Sequence, residues 1–242
     1  PEYLTKDSTT KLVPIISSAR ATKIICKKWF NSFNYLPDAV VVEGPMAGGH
    51  IGFKREQIED PEFQLEKLVP AIVKELKLIE EEYGKHIPVI AAGGIYYGSD
   101  FQKYFDLGAE GIQMGTRFVT TDECDASEKF KQAFIDSTEE DNMIIQSPVG
   151  LPGRALRNKF LEDVENGKKQ PFKCPYHCIR TCKVDQSPYC IALALLSAMR
   201  GDWEHGFAFA GKNAYKTDKI IPVKEVFQNL LDEYLASKTD KE

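Results

Sequence analysis

Four short apolar runs separated by helical segments constrain this chain more than any other feature of it. "LVPIIS" (12–17), "AVVVEG" (39–44), "PVIAAGG" (88–94) and "GIQMGT" (111–116) each read as a strand apolar on both faces. The amphipathic stretch 19–30, the long segment 61–83 and a shorter candidate at 99–107 lie between them. In the long segment Leu65, Leu68, Val69, Ile72, Leu76 and Ile79 recur at helical spacing. Gly108 follows the short candidate as a C-cap, and another helix is expected over 126–137. Doubly apolar strands alternating with helices indicate parallel β–α units.

Periodicity does not choose between an open doubly wound sheet and a closed barrel. Two consecutive strands ending in glycines, "AAGG" and "MGT", favour the barrel, where phosphate sites are built from the loops after the last strands. The expected class is therefore α/β, a TIM (β/α)8 barrel. Such a barrel needs about 250 residues and eight units, and only four units precede residue 120. The rest holds a loop-rich stretch, "QSPVGLPGRALRNKF", a cysteine-rich segment, and helices expected at 189–200 and 223–236. Residues 1–145 thus read as the C-terminal half of a barrel, and 146–242 as a helical, cysteine-containing elaboration. Half a barrel leaves open sheet edges and an uncovered core. The N-terminal half is expected from outside this chain, or two half-barrels associate as a homodimer.

Composition narrows the partners. The 242 residues are 43% hydrophobic and 28% charged, with a formal net charge of -5. That mildly acidic, interspersed pattern carries no footprint for nucleic acid or an anionic membrane. No run approaches the roughly 18 apolar residues of a membrane span, and the polar "PEYLTKDSTTK" is no secretory signal. The six cysteines then read as thiols of a reducing compartment. The expectation is a cytoplasmic protein acting on a small molecule.

Candidate chemistry concentrates in glycine-rich strand ends. Gly93 and Gly94 end one strand, and Gly115 with the Thr116 hydroxyl follows the next. Together they could form a phosphate cradle of backbone dipoles, with Arg117 in second place. In "VVVEGPMAGGHIGF" (40–53), Gly48 and Gly49 clear space around His50. A lone loop histidine is ordinarily a hydrogen-bonded polar residue. This one follows a barrel strand, on the face where active sites sit, and an imidazole there can take or give a proton. "GRALRN" offers Arg154, Arg157 and Asn158, read first as anchors of the elaboration. "STEED" and "IEEEY" read as solvated surface.

Cys174, Cys178, Cys182 and Cys190, with His177 among them, form the one cluster with metal-binding residue types. Their C-x3-C-x3-C-x7-C spacing matches neither zinc-knuckle pairs nor ferredoxin runs. The favoured reading is buried cysteines packing a helical cap, so no metal is assigned and these four stay minor candidates.

"VVVEGPMAGGHIGF", "IPVIAAGGIYYGSDFQKYFDLGAEGIQMGTRFVTTDECDA" and "SPVGLPGRALRN" together resemble the nitronate monooxygenase family, formerly the 2-nitropropane dioxygenases. Flavin-dependent enoyl-acyl carrier protein reductases are close relatives. The resemblance runs from about Leu12 to Phe160 and returns weakly in "ALALLSAMRGDWEHGFAFAG". It implies an FMN enzyme on a TIM barrel that begins here after the fourth strand. It also implies that Gly93, Gly94, Gly115 and Thr116 hold the FMN phosphate, that Gly48 and Gly49 let the flavin approach, and that His50 is base or substrate anchor. Met46 stands where relatives commonly carry glutamate or glutamine, which separates the substrate question from the flavin chemistry. The implied activity is oxidation of alkyl nitronates, or similar acidic carbon compounds, with O2. The alternatives are NAD(P)H-dependent reduction of enoyl thioesters or quinones, and a non-catalytic half-barrel that needs its other half to bind flavin.

Overall fold

The computed structural model describes residues 1–5, 7–170, 172–174, 178 and 182–239. His177, noted beside the cysteines, lies outside them. In chain order the strands are β1 (Ile15–Ile16), β2 (Val40–Glu43), β3 (Gly49–His50), β4 (Val89–Ala92), β5 (Gly111–Gln113), β6 (Asn142–Gln146) and β7 (Pro152–Leu156). The α-helices are α1 (Ala19–Phe33), α2 (Leu65–Tyr83), α3 (Phe101–Asp106), α4 (Glu128–Ile135), α5 (Lys159–Glu165), α6 (Ile191–Met199) and α7 (Val223–Thr239). Contacts divide the chain into two compact units. One comprises Pro1–Pro45, Glu56–Met114 and the chain from Leu230; the other comprises Met46–Arg55 and Gly115–Asn229.

The first unit holds the parallel β–α units. Its sheet has the order β1-β2-β4-β5, every pair parallel, with Val40 opposite Val89 and Val42 opposite Ala91. Val40, Val41 and Val42 are all buried, as a strand covered on both faces requires. The outer strands are thinner: β1 has two residues and leaves Ile15 57% exposed, and β5 is half-buried to exposed. Ser18 caps α1 by accepting the Ala21 N–H at 3.1 Å. Gly84, at φ +70°, ends α2 and donates to the Glu80 carbonyl. The apolar stripe read from the sequence is the buried face of α2, with Val69 and Ile72 wholly covered. Each such side chain contributes about 1.5–3 kcal/mol of burial.

The end of α7 closes this unit. Tyr234 packs against Phe101 and Phe105, with ring centroids 6.0 and 5.9 Å away. Gly98 donates its N–H to Glu233 Oε2 at 2.6 Å. A Cβ on Gly98 would overlap the Leu230 carbonyl, so only glycine admits this approach.

The second unit is built on an antiparallel sheet, β3-β7-β6. The stretch expected to be loop-rich is in fact the hairpin β6–β7, turning through Ser147–Leu151 with Gly150 at φ +89°. Met143 and Ile145 alternate inward along β6. Pro152 opens β7, where a missing N–H is tolerated. A core of Phe160, Phe207, Tyr189 and Ala194 packs against Met143 and Ile145. Helices α4, α6 and α7 fall where periodicity placed them, within a few residues at each end. Among the described residues no helix is long and apolar enough to cross a membrane.

Candidate active site

The hairpin turn carries the residue that gives His50 a defined setting. Ser147 begins the turn, and its Oγ lies 2.8 Å from His50 Nε2. His50 itself is in β3, opposite Gly153 of β7, and not in a free glycine loop. Its ring also meets the edge of Phe209, with centroids 5.0 Å apart. A Cβ on Gly153 would crowd that same Phe209 ring at 2.9 Å, so Gly153 is what lets the ring reach His50. Burial lowers the His50 pKa from its ordinary 6.5, because a partly desolvated imidazole resists carrying charge. The product is a half-buried, neutral histidine held at one nitrogen by a hydroxyl. That arrangement suits proton transfer at the other nitrogen.

The neighbouring glycines divide by role. Gly48 has no room for a side chain, because a Cβ would run into the backbone of Ala210 and Gly211. Its bareness is used by the protein's own packing. Gly49 sits at φ +86° with open space beside it. Met46 is half-buried, and its carbonyl accepts the Lys212 N–H at 3.0 Å.

Thr116 and Gly115 stand in the same unit. Gly211 donates its N–H to Thr116 Oγ1 at 3.0 Å, which fixes the hydroxyl and leaves its proton to donate elsewhere. Gly115 has an ordinary φ of -127°, and nothing lies within 4 Å of where its Cβ would be. Neither backbone strain nor packing therefore requires glycine at that position. Arg117 follows within the short helical turn Thr116–Phe118.

In the first unit Gly93 and Gly94 follow β4 at φ +91° and +87°. Positive φ at two successive residues is a backbone conformation that favours glycine. One residue missed by sequence reasoning stands out in this unit. Glu43 ends β2, half-buried, and burial raises its carboxyl above the usual range. A carboxylate closing an otherwise apolar strand was the available signal.

The remaining candidates are structural in their contacts. Arg154 is buried in β7 and donates from Nη1 to Asn142 Oδ1 at 3.1 Å. Asn158 caps α5 by accepting the Leu161 N–H at 3.0 Å, and it donates to the Gly206 carbonyl at 2.7 Å. Arg157 lies 4.0 Å from Glu162 at the surface. The cysteines expected to be buried are not: Cys174, Cys182 and Cys190 are half-buried and Cys178 is exposed.

Comparison with known proteins fits this geometry. Residues 2–233 match the nitronate monooxygenase family. A Staphylococcus aureus protein named probable nitronate monooxygenase is 40% identical over 128 residues, which is 52% of this chain and 34% of that protein. The chain thus spans about a third of the length of the curated relatives it matches. FabK from Thermotoga maritima is 27% identical with a TM-score of 0.72, covering 97% of this chain and 64% of the other. Nitroalkane oxidase from Streptomyces ansochromogenes shares the fold at a TM-score of 0.70 and 24% identity, over 96% of this chain and 60% of the other. FabK and nitroalkane oxidase are TIM-barrel enzymes, in line with the α/β class and parallel sheet found here. The family is one of flavin enzymes. From its parallel β–α units to its hydroxyl-held histidine, this chain belongs to the nitronate monooxygenase family.

Proposed function

We propose that the protein is a flavin-dependent oxidoreductase that oxidises alkyl nitronates, or similarly acidic carbon compounds, with O2, and that its flavin is FMN. The observation that carries the reading is the neutral, half-buried His50 held at Nε2 by Ser147. With Nε2–H donated to the serine oxygen, the Nδ1 lone pair is the one offered to substrate. It can accept a proton from an acidic carbon, or as Nδ1–H in the other tautomer anchor an oxyanion. When bound, FMN supplies the electron-accepting chemistry, with O2 as the final acceptor.

Several residues have the chemistry to hold such a cofactor, and each unit is taken by itself. In the second, Gly115 offers open space beside a Thr116 hydroxyl already oriented by Gly211, a pairing suited to a phosphate oxygen. Gly49 leaves backbone exposed beside His50. In the first, Gly93 and Gly94 leave bare backbone just after a strand end, which would let a phosphate approach closely. We assign Gly48 a packing role in support of Gly49. Met46 is half-buried, and a thioether bordering the site would favour a substrate apolar at that point.

Anaerobic mixing tests the reaction. Bleaching of the flavin by an alkyl nitronate, followed by recovery with O2, is the expected result. Rapid bleaching by NAD(P)H with none by nitronate would overturn it in favour of an enoyl thioester or quinone reductase. The likeness to FabK is what keeps that second reading in view. We further propose that β1 and β5, as open edges of the parallel sheet, pair with the remaining strands of a barrel supplied outside this chain. The exposure of Ile15 on β1 supports this. Flavin bound only after a separately produced N-terminal half is added would mark the isolated chain as non-catalytic.

A further inference from the structure

The four clustered cysteines have a geometry that packing does not explain. Cys174, Cys178, Cys182 and Cys190 all line one cavity of about 280 Å³ within the second unit. The other two cysteines, Cys26 and Cys124, are not among its walls. A thiol used as a small hydrophobe looks like Cys26, which is 0% exposed. None of the four reaches that state, and Cys178 opens to solvent. Cys182 Sγ lies 3.8 Å from Ser187 Oγ, and all four residues border the same space.

The arrangement also separates two kinds of metal centre. A zinc ion binds sulfur at about 2.3 Å, which draws its thiolates to within about 4 Å of one another. Among the described residues no group of three or more His, Cys, Asp or Glu is placed to hold a metal ion. Four cysteines lining one cavity suit a polynuclear body, which takes one thiolate at each of four irons. The other walls include Phe172, Val184 and Tyr189, an apolar surround that limits water access to such a body. The exposed Cys178 provides a way in.

We propose that Cys174, Cys178, Cys182 and Cys190 hold a four-iron, four-sulfur cluster. Each thiol gives up its proton and ligates one iron. Two ferrous, two ferric and four sulfide ions from solution complete the core, so assembly needs no further oxidant or reductant. Pro148 and Val149, which follow Ser147 in the hairpin turn, also line the cavity. The cluster would therefore sit beside the turn that holds His50.

The full chain, purified without oxygen and reconstituted with ferrous, ferric and sulfide ions, gives the test. Iron and acid-labile sulfide are measured after desalting, with electron paramagnetic resonance after dithionite reduction. About four iron and four sulfide per chain are expected, together with a signal of the reduced cluster. The C178S/C182S double variant should lose both, and C124S should keep them. Less than about a tenth of an equivalent of iron in the reconstituted wild type would overturn the proposal. So would bound iron without labile sulfide, or one equivalent of zinc. The wild-type stoichiometry decides the matter even if the double variant fails to fold. No flavin or turnover enters the measurement, so it stands apart from the proposed oxidation.

Discussion

Ser147 Oγ and His50 Nε2 are 2.8 Å apart although they stand 97 positions apart in the chain. Under the proposed function Ser147 is a positioning residue, which holds the imidazole at one nitrogen and leaves the other for substrate. Ser147→Ala is expected to retain bound flavin and to lower kcat about ten- to hundredfold, with KM changed less. Ser147→Thr should restore most of the rate. His50→Ala should keep the yellow colour and lose about a hundredfold or more. Unchanged kcat in both alanine variants would remove the pair from the mechanism.

Burial fixes the direction of the pH response. His50 has its pKa lowered in the folded protein, so the unfolded chain takes up the proton first as pH falls. Stability attributable to this group is complete above about pH 6.5 and declines below it, down to the lowered folded pKa. Urea midpoints at pH 5.5 and 7.5 should therefore differ more in the wild type than in His50→Gln. The acid limb of kcat/KM should lie below 6.5. A limb above that value would contradict a desolvated base.

Thr116 is expected to matter through its oxygen. Thr116→Val keeps the shape but deprives the Gly211 N–H of its acceptor and removes the proton offered outward. Flavin affinity measured by fluorescence titration should fall about ten- to hundredfold, since one hydrogen bond to a charged group contributes about 1.5–3 kcal/mol. Thr116→Ser should stay close to wild type. Equal losses in both variants would point to the methyl group instead.

Gly98 provides a stability test remote from the chemistry. Gly98→Ala places a methyl against the Leu230 carbonyl and should cost about 1–3 kcal/mol in urea unfolding. Gly84→Ala, at φ +70° with nothing within 4 Å, should cost about 1 kcal/mol from backbone strain alone. The reverse order would mean that the end of α7 packs differently.

What the sequence could show depended on the range of the interaction. The parallel strands and α2 were legible because burial on both faces, or on one stripe, writes itself into local hydrophobic spacing. Gly93 and Gly94 were legible for a similar reason, since left-handed backbone selects glycine locally. The β6–β7 hairpin was not. Pro152 and Gly153 read as loop residues, and the buried Arg154 interrupts the apolar pattern of its strand. Ser147 was invisible as a partner because nothing near it in sequence mentions His50. Gly48 misled for the opposite reason: it looked like an opening for a ligand, yet Ala210 and Gly211 already occupy the space.

The five-residue turn at the tip of that hairpin faces two ways. Ser147 reaches His50, and Pro148 and Val149 wall the cysteine cavity. A ligand that displaced those two residues would push on the residue before them in the chain, whose hydroxyl meets the histidine. Were the two events coupled, a substrate that tightens the hydrogen bond would alter the cavity's affinity by the same factor. Measuring cavity binding with and without substrate would weigh one end of the turn against the other.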